Sequence, residues 1–261
     1  MDDKNLKISL TVPETVGTFT VTISMGKNKQ EGTFVVEDSA LIGDILLNDG
    51  NYVSVANLNE DQKTNAVAVV CGFNGNGKTL GLGLKQSETK LTWAESGTTG
   101  YDTKFTDIIC TPSGYGSDGT ADTATFEGDL DGSDNWNKIC ENDTNAASTA
   151  ATNYPAFNWV NTYGKTDSYK LPEGYKDGWY MPSIYELTEY IYKNREVLNQ
   201  ALTALGETVA TPLTISGIEF YWSSSQIGFD RIMSWRLYFG DAFLGYAQKS
   251  NLSWVRSVRA F

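Results

Sequence analysis

The sequence predicts an α+β fold, and three features point to it. Apolar and polar residues alternate with a period of two near the N-terminus and again after Gly217, as in half-buried strands. Between these stretches lies an apolar stripe at helical spacing, introduced by a capping signal. Strand-like and helix-like stretches are segregated along the chain, which argues against the βαβ alternation of a parallel sheet.

The first alternation runs through Leu6, Ile8, Leu10 and Val12, then Phe19, Val21 and Ile23, then Phe34 and Val36. It marks three short strands split by turns at 13–17 and 26–32. So few strands are marginal alone. Residues 1–38 are therefore expected to form an N-terminal β segment that packs on the main domain or is the remnant of a β-sandwich, with the main domain spanning 39–261. Strands at 41–47 and 52–55 flank Asn48-Asp49-Gly50-Asn51, where Asp-Gly favours a primed hairpin turn. Further strands are expected at 66–70 and around 80–84, separated by a Gly-rich turn at 74–78. Residues 112–133, rich in Gly, Asp, Ser and Thr, read as a surface loop.

Helices are expected over 134–140, capped by Ser133, and over 156–163. The clearest runs from Pro182 to about Arg195, with Ser183 as cap, Glu186 completing a capping box, and Ile184, Leu187, Ile191 and Tyr192 on one face. Its continuation to Leu205 stops at Gly206. Strands at 220–225, 235–239, 243–246 and 255–259 close the chain.

Composition narrows the function. Apolar residues make up 40% of the chain, enough for a core, and abundant aromatics with only 20% charge suit a loop-rich extracellular protein. With 20 basic and 32 acidic residues the net charge is −12, so nucleic acid is not an expected partner. No stretch approaches the ~20 apolar residues of a membrane span, so direct membrane insertion is not expected. The start, Met1-Asp2-Asp3-Lys4, has no hydrophobic signal region, so an exported protein would carry its signal outside this sequence. Histidine is absent, which removes the commonest general base and metal ligand. Cys71 lies in an apolar run and reads as a small buried hydrophobe, while Cys110 and Cys140 are either free thiols or a bridge.

Two strings invite chemistry. Ser223-Ser224-Ser225 has neither a His to activate it nor a Gly-x-Ser-x-Gly elbow, so these hydroxyls are expected to bond backbone in a tight core turn. Residues 127–134 partly match a calcium loop but place Lys138 where the bidentate Glu belongs, so they read as a solvated loop leading into a helix. No cofactor is expected.

Six strings occur in order: Gly43-Asp44-Ile45-Leu46-Leu47-Asn48-Asp49-Gly50, Asp131-Gly132-Ser133-Asp134-Asn135-Trp136, Tyr154-Pro155-Ala156-Phe157, Gly178-Trp179-Tyr180-Met181-Pro182-Ser183, Tyr221-Trp222-Ser223-Ser224-Ser225-Gln226 and Val255-Arg256-Ser257-Val258-Arg259-Ala260-Phe261. Over about 41–261 this set resembles the family of the C-terminal domain of Legionella collagen-like protein, related to the sulfatase-modifying-factor group. Within it, the chain resembles the variable proteins diversified by retroelements, where a mutagenic reverse transcriptase rewrites adenine positions in the final stretch. The resemblance implies a C-type-lectin-like fold and a hypervariable receptor or adhesin, bacterial or phage-borne, at the cell surface, secreted or on a phage particle. It does not imply an enzyme, because the formylglycine-generating relatives use cysteines in the active region and none follows Cys140 here. The alternative on the same fold is a calcium-dependent carbohydrate-binding lectin, although the Glu-Pro-Asn sugar motif is missing.

The candidate ligand face comes from the last forty or so residues. Alternation sends Trp235, Leu237 and Phe239 inward and Arg236 and Tyr238 outward. Trp179, Trp222, Val255 and Val258 also read as structural, with Arg256 and Arg259 bonding loop carbonyls or carboxylates. Ile227, Phe229, Asp230, Arg231, Ile232, Asp241, Phe243, Leu244, Tyr246, Ser250, Asn251, Leu252, Ser253 and Trp254 cluster in short loops and strands beside them. Exposed together, they would form an apolar patch of the kind that marks interaction sites, rich in the residues that carry interface energy. The competing reading is that they pack into the domain or against residues 1–38. Rewriting asparagine codons at adenine gives access to every residue type in 227–232, whereas Met233, Gln248 and Trp254 need another template codon or are invariant. The expected partner is a protein or other macromolecule.

Overall fold

A computed structural model describes residues 17–25, 28–36, 40–114, 120–166, 169–215 and 219–261. The chain divides into two compact units, Met1–Ala40 and Leu41–Phe261.

In the first unit, β1 (Gly17–Met25) and β2 (Asn28–Val36) pair antiparallel from Gly17↔Val36 to Met25↔Asn28. The strand expected over 6–12 lies outside the described residues. The turn expected over 26–32 is shorter than its polar composition suggested, because main-chain pairing continues through Asn28 to Gly32 without needing apolar side chains.

The second unit mixes helix and sheet. Its strands are β3 (Ile45–Leu47), β4 (Tyr52–Val53), β5 (Ala66–Phe73), β6 (Thr79–Gln86), β7 (Leu91–Thr92), β8 (Cys110–Pro112), β9 (Phe126–Gly128), β10 (Lys165–Thr166), β11 (Tyr169–Lys170), β12 (Phe220–Gln226), β13 (Met233–Tyr238), β14 (Phe243–Gln248), β15 (Leu252–Ser253) and β16 (Arg256–Ala260). An antiparallel sheet has the order β16-β6-β5-β3-β4, and a second has the order β12-β13-β14.

β5 sits mid-sheet and is buried on both faces, which accounts for its unbroken apolar run. Val69 and Cys71 join one core with Leu187, Ile191, Leu198 and Leu202. Val67 and Ala68 join the other, which is aromatic, with Trp93, Phe105, Tyr154 and Phe157. There the Trp93 and Phe157 rings meet edge to face at 4.8 Å.

Several boundaries differ from expectation. The strand expected over 41–47 begins only at Ile45, because Leu41 and Asp44 close a turn, with Asp44 N donating to Leu41 O at 3.0 Å. The β3–β4 turn is not primed: Gly50 alone has positive φ (+88°), with Gly50 N bonded to Leu47 O and Leu47 N to Asn51 O. That is a type I turn followed by a left-handed glycine. The stretch 112–133 is not all loop, since β9 pairs with β8. The Asn135–Asn142 helix takes Asp134, not Ser133, at its N-cap, because Ser133 is held by its own N–H on Asp131 Oδ1 at 2.8 Å.

The Ser183 capping box forms: Glu186 N donates to Ser183 Oγ (3.1 Å) and Ser183 N to Glu186 Oε2 (2.9 Å). The helix behind it is broken into a turn at Ile184–Glu186, a π-helix at Leu187–Tyr192 and an α-helix at Arg195–Leu205 ending at Gly206. The Asn194 amide fills the break, donating to Tyr190 O and to Cys71 O of β5.

The serines are buried as core hydroxyls, but on strand β12 and not in a turn, and only Ser223 and Ser225 bond backbone. Ser223 Oγ donates to Trp235 O (2.9 Å), Ser224 Oγ accepts from the Asn135 amide (2.8 Å), and Ser225 Oγ accepts from Ile184 N (3.0 Å). The three cysteines are free thiols.

Candidate ligand face

Residues directly opposite one another across a strand pair share a face of the sheet. In β12-β13-β14, Phe220, Tyr238 and Phe243 are aligned, as are Trp222, Arg236 and Gly245; one register step away lie Tyr221, Leu237 and Leu244, and then Trp235 with Tyr246. The sequence-predicted set is therefore split. Arg236, Tyr238 and Phe243 lie on one face, and Tyr246 on the other.

The first cluster is half-buried and packed on itself, with Arg236 Nε left without a hydrogen-bond partner. The Arg236 guanidinium lies 3.9 Å over the Phe220 ring, and Phe220 contacts the rings of Tyr238 (5.5 Å) and Phe243 (6.2 Å). Burial lowers the Arg236 pKa. Two glycines make room: a Cβ at Gly245 would stand 2.6 Å from the Phe243 ring, and one at Gly240 2.3 Å from the Tyr238 hydroxyl.

The second cluster is the exposed one. Phe229, 60% exposed on the β12–β13 loop, meets Tyr246, 40% exposed, edge to face at 5.3 Å. Tyr246 in turn stands on the buried Trp235 at 5.7 Å. Arg231 is exposed beside them, its guanidinium 3.9 Å from the Asp102 carboxylate. Asp230 Oδ1 accepts from Ile232 N at 3.1 Å, an Asx-turn that shapes the loop.

Buried polar groups anchor the loop's base. The Gln226 side chain accepts from Phe105 N (2.9 Å) and donates to Arg231 O (2.9 Å). Fully buried Lys249 donates to Gly100 O and Thr103 O, both at 2.8 Å, with its ammonium over the Trp93 and Phe105 rings. Burial pulls its pKa down to about 7, against the opposing pull of Asp102 and Asp230. The outcome is polar, aromatic and charged side chains at the tip over hydrogen-bonded buried groups beneath.

Three predicted ligand residues are core instead. Ile227, Leu244 and Ser253 are buried, because each falls on the inward phase of its strand or strand extension. Trp254 lies elsewhere, its indole N–H on Glu219 Oε2 (2.8 Å) and Lys90 over its ring. Leu252 is exposed on β15, which pairs with β7. Asp241 and Asn251 are exposed and Ser250 is half-buried, in the turns flanking β14. Phe220, Gln248 and Lys249 were missed; Gln248 had a signal, since period two places it beside Tyr246, whereas Phe220 is brought opposite Tyr238 by register.

Lys138 occupies the acidic loop, bonded to Asp129 (3.2 Å) and Asp134 (2.9 Å), where a calcium ion would need the same oxygens. Among the described residues no group of three or more His, Cys, Asp or Glu is placed to hold a metal ion, and no helix is long and apolar enough to cross a membrane. Comparison of the chain with protein-family models, characterised proteins and solved structures gives no match.

Proposed function

We propose that this chain is a non-enzymatic receptor or adhesin with a C-type-lectin-like fold, diversified by a retroelement and displayed outside the cell or on a phage particle. Its ligand is a protein or other macromolecule, met by Phe229, Arg231, Tyr246 and Gln248. One observation carries the reading: the strands that bury Trp235, Leu237 and Leu244 also present the exposed Phe229–Tyr246 pair. Substitution at Phe229 and Tyr246 changes the exposed tip, with Trp235 as the buried residue in contact beneath Tyr246, which is what a tolerant scaffold requires. Aromatic and Arg side chains on a rigid frame also supply contact area at small entropic cost.

The chemistry of the thiols supports the non-enzymatic part. Cys71 and Cys110 are buried, and burial pushes Cys110 up to about 12 and Cys71 higher still, so neither is a thiolate at neutral pH.

Deep sequencing of this gene across isolates of its source population tests the proposal. Changes should concentrate at Phe229, Arg231, Tyr246 and their exposed neighbours, at adenines of a nearby template copy, with Trp235, Leu237 and Phe239 constant. Even variation over 41–221 and 227–254 would refute it.

A further inference from the structure

A cleft of about 440 Å³ opens beside the end of β6, lined also by the 155–161 helix, β11 and Trp254. That volume is typical of small-molecule sites, ~300–1,000 Å³. Its wall is aromatic: Trp159, Tyr163 and Tyr169 follow one another at centroid distances of 5.3 and 4.7 Å.

Its floor is cationic. Lys85 lines the cleft with its ammonium on Glu207 O at 2.8 Å. Behind it lies Arg256, paired with Gln86 across β16 and β6 and fully buried. Arg256 donates to Gly83 O (3.2 Å), Leu84 O (3.3 Å) and the lining residue Thr211, while its Nε has no hydrogen-bond partner. The groups that perturb Lys85 are burial and Arg256, and those around Arg256 are burial and tyrosines. The described hydrogen bonds of this pair run to backbone carbonyls, in a chain of net charge −12. Glu88, the carboxylate among the lining residues, stands exposed at the rim and is engaged in an interaction. Two adjacent cations held by carbonyl and tyrosine hydroxyl dipoles leave a positive field that an entering anion relieves at Lys85.

We propose that this cleft binds an acidic sugar of the uronate type, its carboxylate against Lys85 and its ring against the aromatic wall. The polar lining selects a sugar over an aromatic acid. Gln86 Oε1 accepts from the Tyr221 hydroxyl, which leaves its amide N–H₂ to donate, and Thr162 lies across the cleft. A hydroxyl-rich ring uses these groups, whereas an aromatic acid leaves them unmet. The site shares only Trp254 with the residues predicted for the C-terminal face and does not depend on that face binding anything.

The test is a titration of the full chain, followed by ¹⁵N spectra of the tryptophan indole N–H groups, with sodium glucuronate, glucose and the methyl ester of glucuronate. Glucuronate should move the Trp159 and Trp254 signals and leave those of buried Trp93 and Trp235 in place. Glucose and the ester should bind roughly tenfold more weakly, the worth of one charge-assisted contact. Lys85→Gln should bind all three alike. Equal binding of glucose and glucuronate by the unmodified chain, shifts confined to other tryptophans, or no shift overturns the proposal, and these readings need no variant to fold.

Discussion

Glu186 is a carboxylate with almost no contact with water, and it makes the stability of the main unit depend on pH. Its Oε2 accepts from Gly132 N and Ser183 N, both at 2.9 Å, and its Oε1 from the Tyr180 hydroxyl at 2.7 Å. Burial outweighs these donors and raises its pKa from 4.5 to about 7. The folded state therefore holds this proton more tightly than the unfolded state. The associated stability is fully present below pH 4.5 and is lost as pH rises through about 7. At ~1.4 kcal/mol per pH unit, the gap is worth about 3 kcal/mol. Glu186→Gln removes the titration while keeping an oxygen for the two backbone donors. All seven tryptophans lie in 41–261, so urea unfolding followed by their fluorescence reports on this unit. Between pH 4.5 and 7.5 the stability of the unmodified chain should fall relative to the Gln variant by about 3 kcal/mol. A flat difference, or one of opposite sign, would refute the assignment of a buried, proton-holding carboxyl.

Lys249 carries the opposite dependence: its lowered folded pKa means stability rises with pH from about 7 towards 10.5, and Lys249→Met should flatten that limb in the same urea series. Leu237→Ala should cost about 2–5 kcal/mol, while Phe229→Ala and Tyr246→Ala should each cost about 1 kcal/mol or less in urea unfolding; comparable losses would contradict the division into scaffold and face. Gly128→Ala combines a φ of +97° with a Cβ placed 2.4 Å from Ile109 O, so it should destabilise by roughly 2 kcal/mol or more, read from its urea midpoint. Millimolar calcium should leave the unfolding temperature unchanged because Lys138 already holds Asp129 and Asp134; a rise in calorimetry would show that the ion displaces it.

What the sequence made legible were the features with short-range physical causes. The capping box at Ser183 and the inward phase of Trp235, Leu237 and Phe239 each follow from neighbours a few residues away. What it hid were features set by distant parts of the chain. The break at Asn194 depends on Cys71 O of β5, and the burial of Lys249 on carbonyls of residues 100 and 103. Ile227 is core because β12, expected to end at Ser225, runs to Gln226, is buried on both faces and is bridged to Ile109, and burial continues to Ile227.

The split of the predicted face follows from the same cause, and it sharpens the functional proposal. Period two fixes which residues of one strand share a face, but only register relates Arg236 to Tyr246, and register is not written in either strand alone. Once paired, the two fall on opposite sides of a ribbon whose outer strand, β14, is an edge. The Arg236 guanidinium already rests on Phe220, so recruiting it for a ligand would break an existing stack. Phe229 and Tyr246 face water and lose little when covered. Diversification confined to the exposed residues Phe229 and Tyr246 therefore changes what is bound while leaving both the Arg236 cluster and the buried Trp235, Leu237 and Leu244 as part of the frame. Isolates that vary at Phe229 and Tyr246 but keep Arg236 and Tyr238 would bear that asymmetry out, and equal variation on both sides would mean that a ligand grips the edge from both faces.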